Sequence, residues 1–145
     1  VSSKRFADLA ASLRKLSSLP SQVAAGAAER IEAQIQDDFD NGVDPYGSTW
    51  APLMPRTLAK GRSAPPLTET GAMRGSVSVQ PMQGAGIAIT IDDPATHHQY
   101  GTVDMEARPI FPNQRELPDT WQRAISDAAD EAFARTREAM GAFGG

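Results

Sequence analysis

Two apolar periodicities divide the chain. Over its first 40 residues apolar side chains recur every three or four positions, the spacing of one helical face. Phe6, Leu9, Ala10, Leu13 and Leu16 predict a first helix over 2–18, with Ser2 or Ser3 able to cap it. Pro20 interrupts that pattern. Proline is tolerated in a first helical turn, so a second helix begins at Leu19 or Pro20 and runs to about residue 40. Its stripe is Val23, Ala24, Ala27, Ile31, Ile35 and Phe39, and Glu29, Arg30, Glu32, Gln36 and Asp37 point elsewhere. Each large member of the stripe contributes about 1.5–3 kcal/mol if fully buried. The Asn41-Gly42 pair stops the helix.

Further on the period changes to two. Val77 and Val79 alternate with serines, and Ile87, Ile89 and Ile91 alternate with Ala88 and Thr90. A Gly84-Ala85-Gly86 turn between them predicts a β-hairpin. Before it, residues 67–76 predict a short helix. A last helix spans 118–140, with Asp119 near its start, where a negative charge is favoured. Its face (Trp121, Ile125, Ala128, Ala129, Ala132, Phe133) is mostly alanine and suits close packing. The fold class expected is α+β: a small antiparallel or mixed β-sheet packed by N-terminal and C-terminal helices, with a long Pro-rich arm. The chain divides as a single domain over 1–145, with N-terminal helices at 1–40, an extended arm at 41–67, a β-rich core at 68–117 and a C-terminal helix at 118–141.

The arm holds Pro45, Pro52, Pro55, Pro65 and Pro66, with one helical turn expected at 56–60. Loops longer than about 12–15 residues are uncommon in compact domains and usually functional. Trp50, Leu53, Met54 and Leu58 are too apolar for an inert linker, and tryptophan is favoured at interface hot spots, so the arm is expected to dock between subunits. Residues 97–112 form the other organising stretch. Pro109 fixes its own φ and holds Arg108 extended, so that a planar guanidinium fork projects from a stiff corner toward a carboxylate or carbonyls. Both halves of the fold are expected to meet there.

Composition narrows the function. With 145 residues, 40% of them hydrophobic and 22% charged, the chain is of globular composition. Its net charge of −4 disfavours a broad electrostatic grip on nucleic acid. No cysteine is present, which removes disulfides and thiolate metal sites and fits a reducing compartment. No apolar run approaches the roughly 20 residues of a membrane span, and no apolar segment follows Lys4 and Arg5 as a signal peptide requires. A soluble, intracellular chain is expected.

Candidate chemistry is thin. His97 and His98, read on an extended segment, point to opposite faces and cannot chelate one ion together. Asp37, Asp38 and Asp40 lie at the negative end of the second helix and read as a solvated or interface-facing acidic end. Residues 74–78 are a weak echo of a nucleophile elbow, and 59–63 lack phosphate-loop spacing. No catalysis, metal or cofactor is expected. Arg56, Lys60 and Arg62 form one basic patch, suited to an acidic partner surface such as the Asp37, Asp38 and Asp40 end of a sister subunit.

One ordered set of motifs goes further. Gly47-x-x-Trp50-x-x-Leu53 is followed by Thr57 and Lys60, then by Pro66-Leu67-x-x-Thr70-Gly71-x-Met73-Arg74-x-Ser76, and after the strands by Gln99-Tyr100-Gly101 and Ala107-Arg108-Pro109. Over residues 40–115 the chain resembles the phage virion morphogenesis family of tail-completion proteins. It is also similar to the broader neck and tail-terminator group of tailed phages. The resemblance implies a non-enzymatic assembly protein of the head–tail junction, a homo-oligomer commonly in a sixfold ring. Its partners would be the tail tube protein and the head–tail connector, with DNA passing through the lumen without specific binding. Its expected location is the virion neck, and the host cytoplasm during assembly. The interface residues expected are Trp50, Leu53, Met54, Lys60, Arg62, Arg74, Tyr100, Arg108 and Phe111. A non-structural tail assembly factor, an unrelated protein-binding module and a hydrolase using His97 or His98 are the alternatives.

Overall fold

A single long helix carries the architecture. In the computed structural model, which describes residues 3–52, 72–84, 86–92, 95–103 and 106–144, helix α2 (Leu19–Asn41) packs against most of the other elements. Pro20 sits in its first turn. At its other end Gly42 takes the left-handed conformation (φ 64°, ψ 38°), which glycine adopts without strain. The Gly42 N–H donates to the Phe39 carbonyl at 3.3 Å and the Val43 N–H to that of Asp38 at 3.1 Å. These two bonds make a Schellman cap and use carbonyls that the helix end would otherwise orphan.

Helix α1 (Ser3–Ser17) precedes α2. After it come α3 (Ala72–Gly75), strands β1 (Ser78–Pro81) and β2 (Ile87–Thr90), α4 (Ala95–Tyr100) and the C-terminal α5 (Asp119–Gly144). The strands pair antiparallel in the register Val79↔Ile89 and Gln80↔Ala88. The arrangement is α+β, with helices flanking a small two-stranded sheet. Among the described residues of 68–117 the two strands are four residues each, and the others are short helix and irregular chain.

The core instead lies between α2 and α5, with β1 laid alongside. Ala24, Ala27 and Ala28 of α2 and Ala124, Ala128 and Ala132 of α5 are all buried. Small side chains bring the two helices close: a Cβ on Gly26 would lie 3.2 Å from that of Ala128. Toward its C-terminus α2 switches to large residues. Ile31, Ile35 and Phe39 are completely buried in a cluster with Trp50, Val77, Val79, Ile110 and Trp121. The apolar stripe predicted for α2 is therefore its core face.

Helix α1 departs from expectation. Its predicted apolar face, Phe6, Leu9, Leu13 and Leu16, is exposed, and Ser12 is its buried residue. Helix α5 splits its predicted face: Trp121, Ala128 and Ala132 are buried, whereas Ile125 is about one-third and Phe133 about half exposed. No helix among the described residues is long and apolar enough to cross a membrane.

Candidate functional site

The described motif residues gather around the last turns of α2. Residues 42–50 form a tight loop that returns the chain to that helix end. Asp44 accepts from the backbone N–H groups of Tyr46 (2.8 Å) and Ser48 (3.0 Å), and Gly47 turns at φ 89°. Val43 bridges Thr49, and the Trp50 N–H donates to the Gly42 carbonyl at 2.8 Å. Gly47 is thus the turn that delivers Trp50. The indole meets the Phe39 ring edge-on, with centroids 5.5 Å apart at 72°. Its Nε1–H donates to the Pro109 carbonyl at 2.8 Å.

Arg108 closes the same corner. It is buried, and its Nε and Nη2 donate to the carbonyls of Ala51 (2.8 Å) and Pro52 (2.9 Å). The guanidinium therefore ties the 106–112 segment to the start of the arm through a two-pronged, charge-assisted contact. Its own backbone N–H donates to the His98 carbonyl at 2.6 Å. Arg108→Ala is expected to lower unfolding free energy by about 1–3 kcal/mol, with Arg108→Lys recovering only part because one ammonium cannot reproduce the fork. Denaturant melts of the three proteins check this.

Gln99, a motif position given no role in the sequence reading, holds the corner from the other side. It is buried, and its Oε1 accepts from the N–H groups of Ile110 (2.8 Å) and Phe111 (2.9 Å) while its Nε2 donates to the Phe111 carbonyl at 2.9 Å. One side-chain amide thereby satisfies three backbone groups in a stretch that has no strand partner. Gly101, at φ 75°, ends α4 just beyond it. The Tyr46 hydroxyl makes a similar tie, donating to the Glu116 carbonyl at 2.7 Å and accepting from the Gln114 N–H at 3.2 Å.

On the other flank of Phe39 lies Arg74. Its guanidinium carbon is 5.8 Å from the ring centroid, within cation–π range. Its Nε donates to Gln36 Oε1 at 2.6 Å, Nη2 to the Gln36 carbonyl at 3.0 Å, and Nη1 pairs with Asp40 Oδ1 at 2.6 Å. Gln36 Nε2 returns a bond to the Arg74 carbonyl. Ser76 Oγ donates to the Met73 carbonyl and accepts from the Asp92 N–H, linking α3 to the end of β2. Phe39 is thus held between Trp50 and Arg74, a centre that periodicity showed only as one more stripe residue.

The residues expected at an interface fall in different surroundings. Trp50 is 4% exposed and packs in this chain's own core. Arg108 is likewise enclosed, Arg74 is committed to Gln36, Asp40 and Phe39, and Phe111 packs partly buried against the core. Tyr100, 75% exposed, is the member of the described set that faces solvent. Leu53, Met54, Lys60 and Arg62 lie outside the described residues, as does the turn expected at 56–60. His97 and His98 sit on α4 and not on an extended segment, with His97 exposed and His98 half-buried.

The acidic end of α2 resolves into separate environments. The Arg74 guanidinium holds the Asp40 carboxyl below its ordinary value. Asp38 is buried, accepts from Gln34 at 2.9 Å through one oxygen, and has no partner for the other among the described residues. Burial pushes its carboxyl up to about 6. Because the folded chain then binds a proton that the unfolded chain has released, stability declines as pH rises from about 3.8 through about 6. Asp38→Asn should remove that decline and stabilise the fold at pH 7.5 by on the order of 1 kcal/mol. Melts of both proteins across this range test it, and parallel pH profiles would contradict it. Burial and the positive charge of Arg108 hold His98 below the usual histidine value.

Among the described residues no group of three or more His, Asp or Glu side chains is placed to hold a metal ion. The polar side chains gathered here bind backbone carbonyls, backbone N–H groups and one another. Their hydrogen bonds brace the loops around the end of α2. No protein-family model, curated protein or solved structure matches this chain.

Proposed function

We propose that this chain is a structural assembly protein of a tailed-phage virion, completing or terminating the tail and joining it to the head connector. The observation that carries the reading is the convergence of the ordered motifs. Gly47, Trp50, Arg74, Gln99, Gly101, Arg108 and Pro109 span more than sixty positions, yet they build one unit around the C-terminal turns of α2. A motif spread this widely, used to brace loops and not to surround a substrate, suits a protein whose task is to present fixed surfaces to neighbours. On this reading the chain acts as a homo-oligomeric ring, with the tail tube protein on one face and the connector on the other. A net negative charge lets DNA slide through the lumen without adhering.

Electron microscopy of a lysate from phage lacking this gene tests the proposal. The expected result is DNA-filled heads beside unjoined tails or tails of uncontrolled length. Normal infectious particles would overturn it, and empty heads would move the protein to an earlier step.

A further inference from the structure

Helix α1 turns its apolar side to solvent. Phe6, Leu9, Leu13 and Leu16 are 67%, 46%, 56% and 42% exposed, whereas Ser12 is buried and Ala10 and Ala11 are half-buried. At about 100° per residue the four large residues fall in one sector of roughly 80°, with Ala11 on the opposite side. The helix therefore lies on its own chain through small residues. Its outward row steps by three, four and three positions, the spacing with which a helix meets another helix or fills an apolar groove.

The same chain offers such a groove. A cavity of about 340 Å³ opens between α2, β2 and α5 and is lined by apolar residues, among them Leu19, Val23, Ile87, Ile125 and Phe133. Ile125 and Phe133 are 36% and 53% exposed on its rim. We propose that these two surfaces are complementary halves of one contact, with α1 of one copy seated in the α2/β2/α5 groove of the next.

Charge selects this pairing over α1 against α1. Within Ser3–Ser17, Lys4, Arg5, Arg14 and Lys15 outnumber Asp8, a net of three positive charges. The whole chain is −4, so the remainder carries seven net negative charges. Two α1 helices side by side would repel, but α1 against the body of another copy joins opposite charges as well as apolar faces. Because the two surfaces lie on different parts of the chain, the contact is heterologous and either closes into a ring or propagates. The proposal deepens the assembly reading and rests on it for its setting, while the contact itself is tested in solution.

The chain has no cysteine, so single cysteines report the contact directly. Leu13→Cys and Phe133→Cys are purified separately, then mixed and mildly oxidised. A disulfide-linked dimer is expected in the mixture, with little in either variant alone or when Phe133→Cys is mixed with Ser48→Cys. Leu9→Lys/Leu13→Lys should weaken association measured by sedimentation about tenfold or more, without lowering the thermal midpoint, since both side chains are exposed in the single chain. Efficient cross-linking of Leu13→Cys alone would overturn the proposal in favour of symmetric α1 pairing. Absence of any cross-link, with the unmodified chain sedimenting as a monomer at its highest soluble concentration, would overturn it outright. The deletion-lysate result is independent of either outcome, so failure here and failure of the assembly reading are distinguishable.

Discussion

Replacing Trp50 by alanine is expected to unfold this chain before it disturbs any assembly. The indole is buried, packs edge-on against the fully buried Phe39 and donates to the Pro109 carbonyl. Truncation removes one of the two tryptophans of that cluster, opens a cavity beside Phe39 and leaves a carbonyl without its donor. Large-to-small changes of this kind cost about 3–5 kcal/mol, a large share of the 5–15 kcal/mol that holds a typical domain together. Trp50→Phe should recover most of the packing and none of the hydrogen bond. Urea unfolding followed by circular dichroism reads the effect, because the reporter then does not depend on the residue replaced. A Trp50→Ala protein that unfolds like the parent while its oligomers dissociate would return Trp50 to an interface.

A second large loss is expected for Gln99→Ala. The substitution strands the N–H groups of Ile110 and Phe111 and the carbonyl of Phe111, all satisfied by one amide. Each buried group left unpaired costs about 1–3 kcal/mol, so the total approaches that of Trp50→Ala unless water enters. Gln99→Glu separates the contributions. A carboxylate accepts from both N–H groups but cannot donate to the Phe111 carbonyl, so it should fall between parent and alanine, and lie closer to the parent at acid pH where it is protonated. Hydrogen exchange at Ile110 and Phe111 localises the effect. Unchanged protection at these two amides in Gln99→Ala would show that the corner is held by Arg108 and Trp50 alone.

How much of this was legible depends on whether a feature is periodic. The α2 stripe from Val23 to Phe39 repeats at about 3.6 residues over more than four turns, and its cap is written as Asn41-Gly42, so both face and end are found from sequence. The alternation about Val77 and Val79 locates the hairpin for the same reason. Periodicity cannot say which apolar face finds a partner within its own chain. Helix α1 shows this, because its stripe is as regular as that of α2 and yet faces outward. Nor does composition tell a core tryptophan from an interface one inside a Pro-rich stretch. Trp50 is drawn inward by a left-handed Gly42 and a turn at Gly47, conformations that become decisive only when the helix end is seen.

The candidate site was legible in its list and not in its geometry. The sequence has Arg108 project from a stiff corner onto a carboxylate or carbonyls, and the groups it reaches are the carbonyls of Ala51 and Pro52, more than fifty positions away. Gln99 carried no such signal, since a buried glutamine is indistinguishable in sequence from an exposed one. The six residues of α4 are too few to display a period, which is why His97 and His98 read as extended chain.

On the proposed reading this fold is a fixed component of the neck, its described motif residues spent on bracing one subunit. Cryo-electron microscopy of purified virions whose genome carries this gene decides the matter. The expected result is a ring of this chain between connector and tail tube, with Trp50 against Phe39 and Arg108 on the Ala51 and Pro52 carbonyls inside every subunit. Purified, infectious particles that contain none of this chain would contradict it.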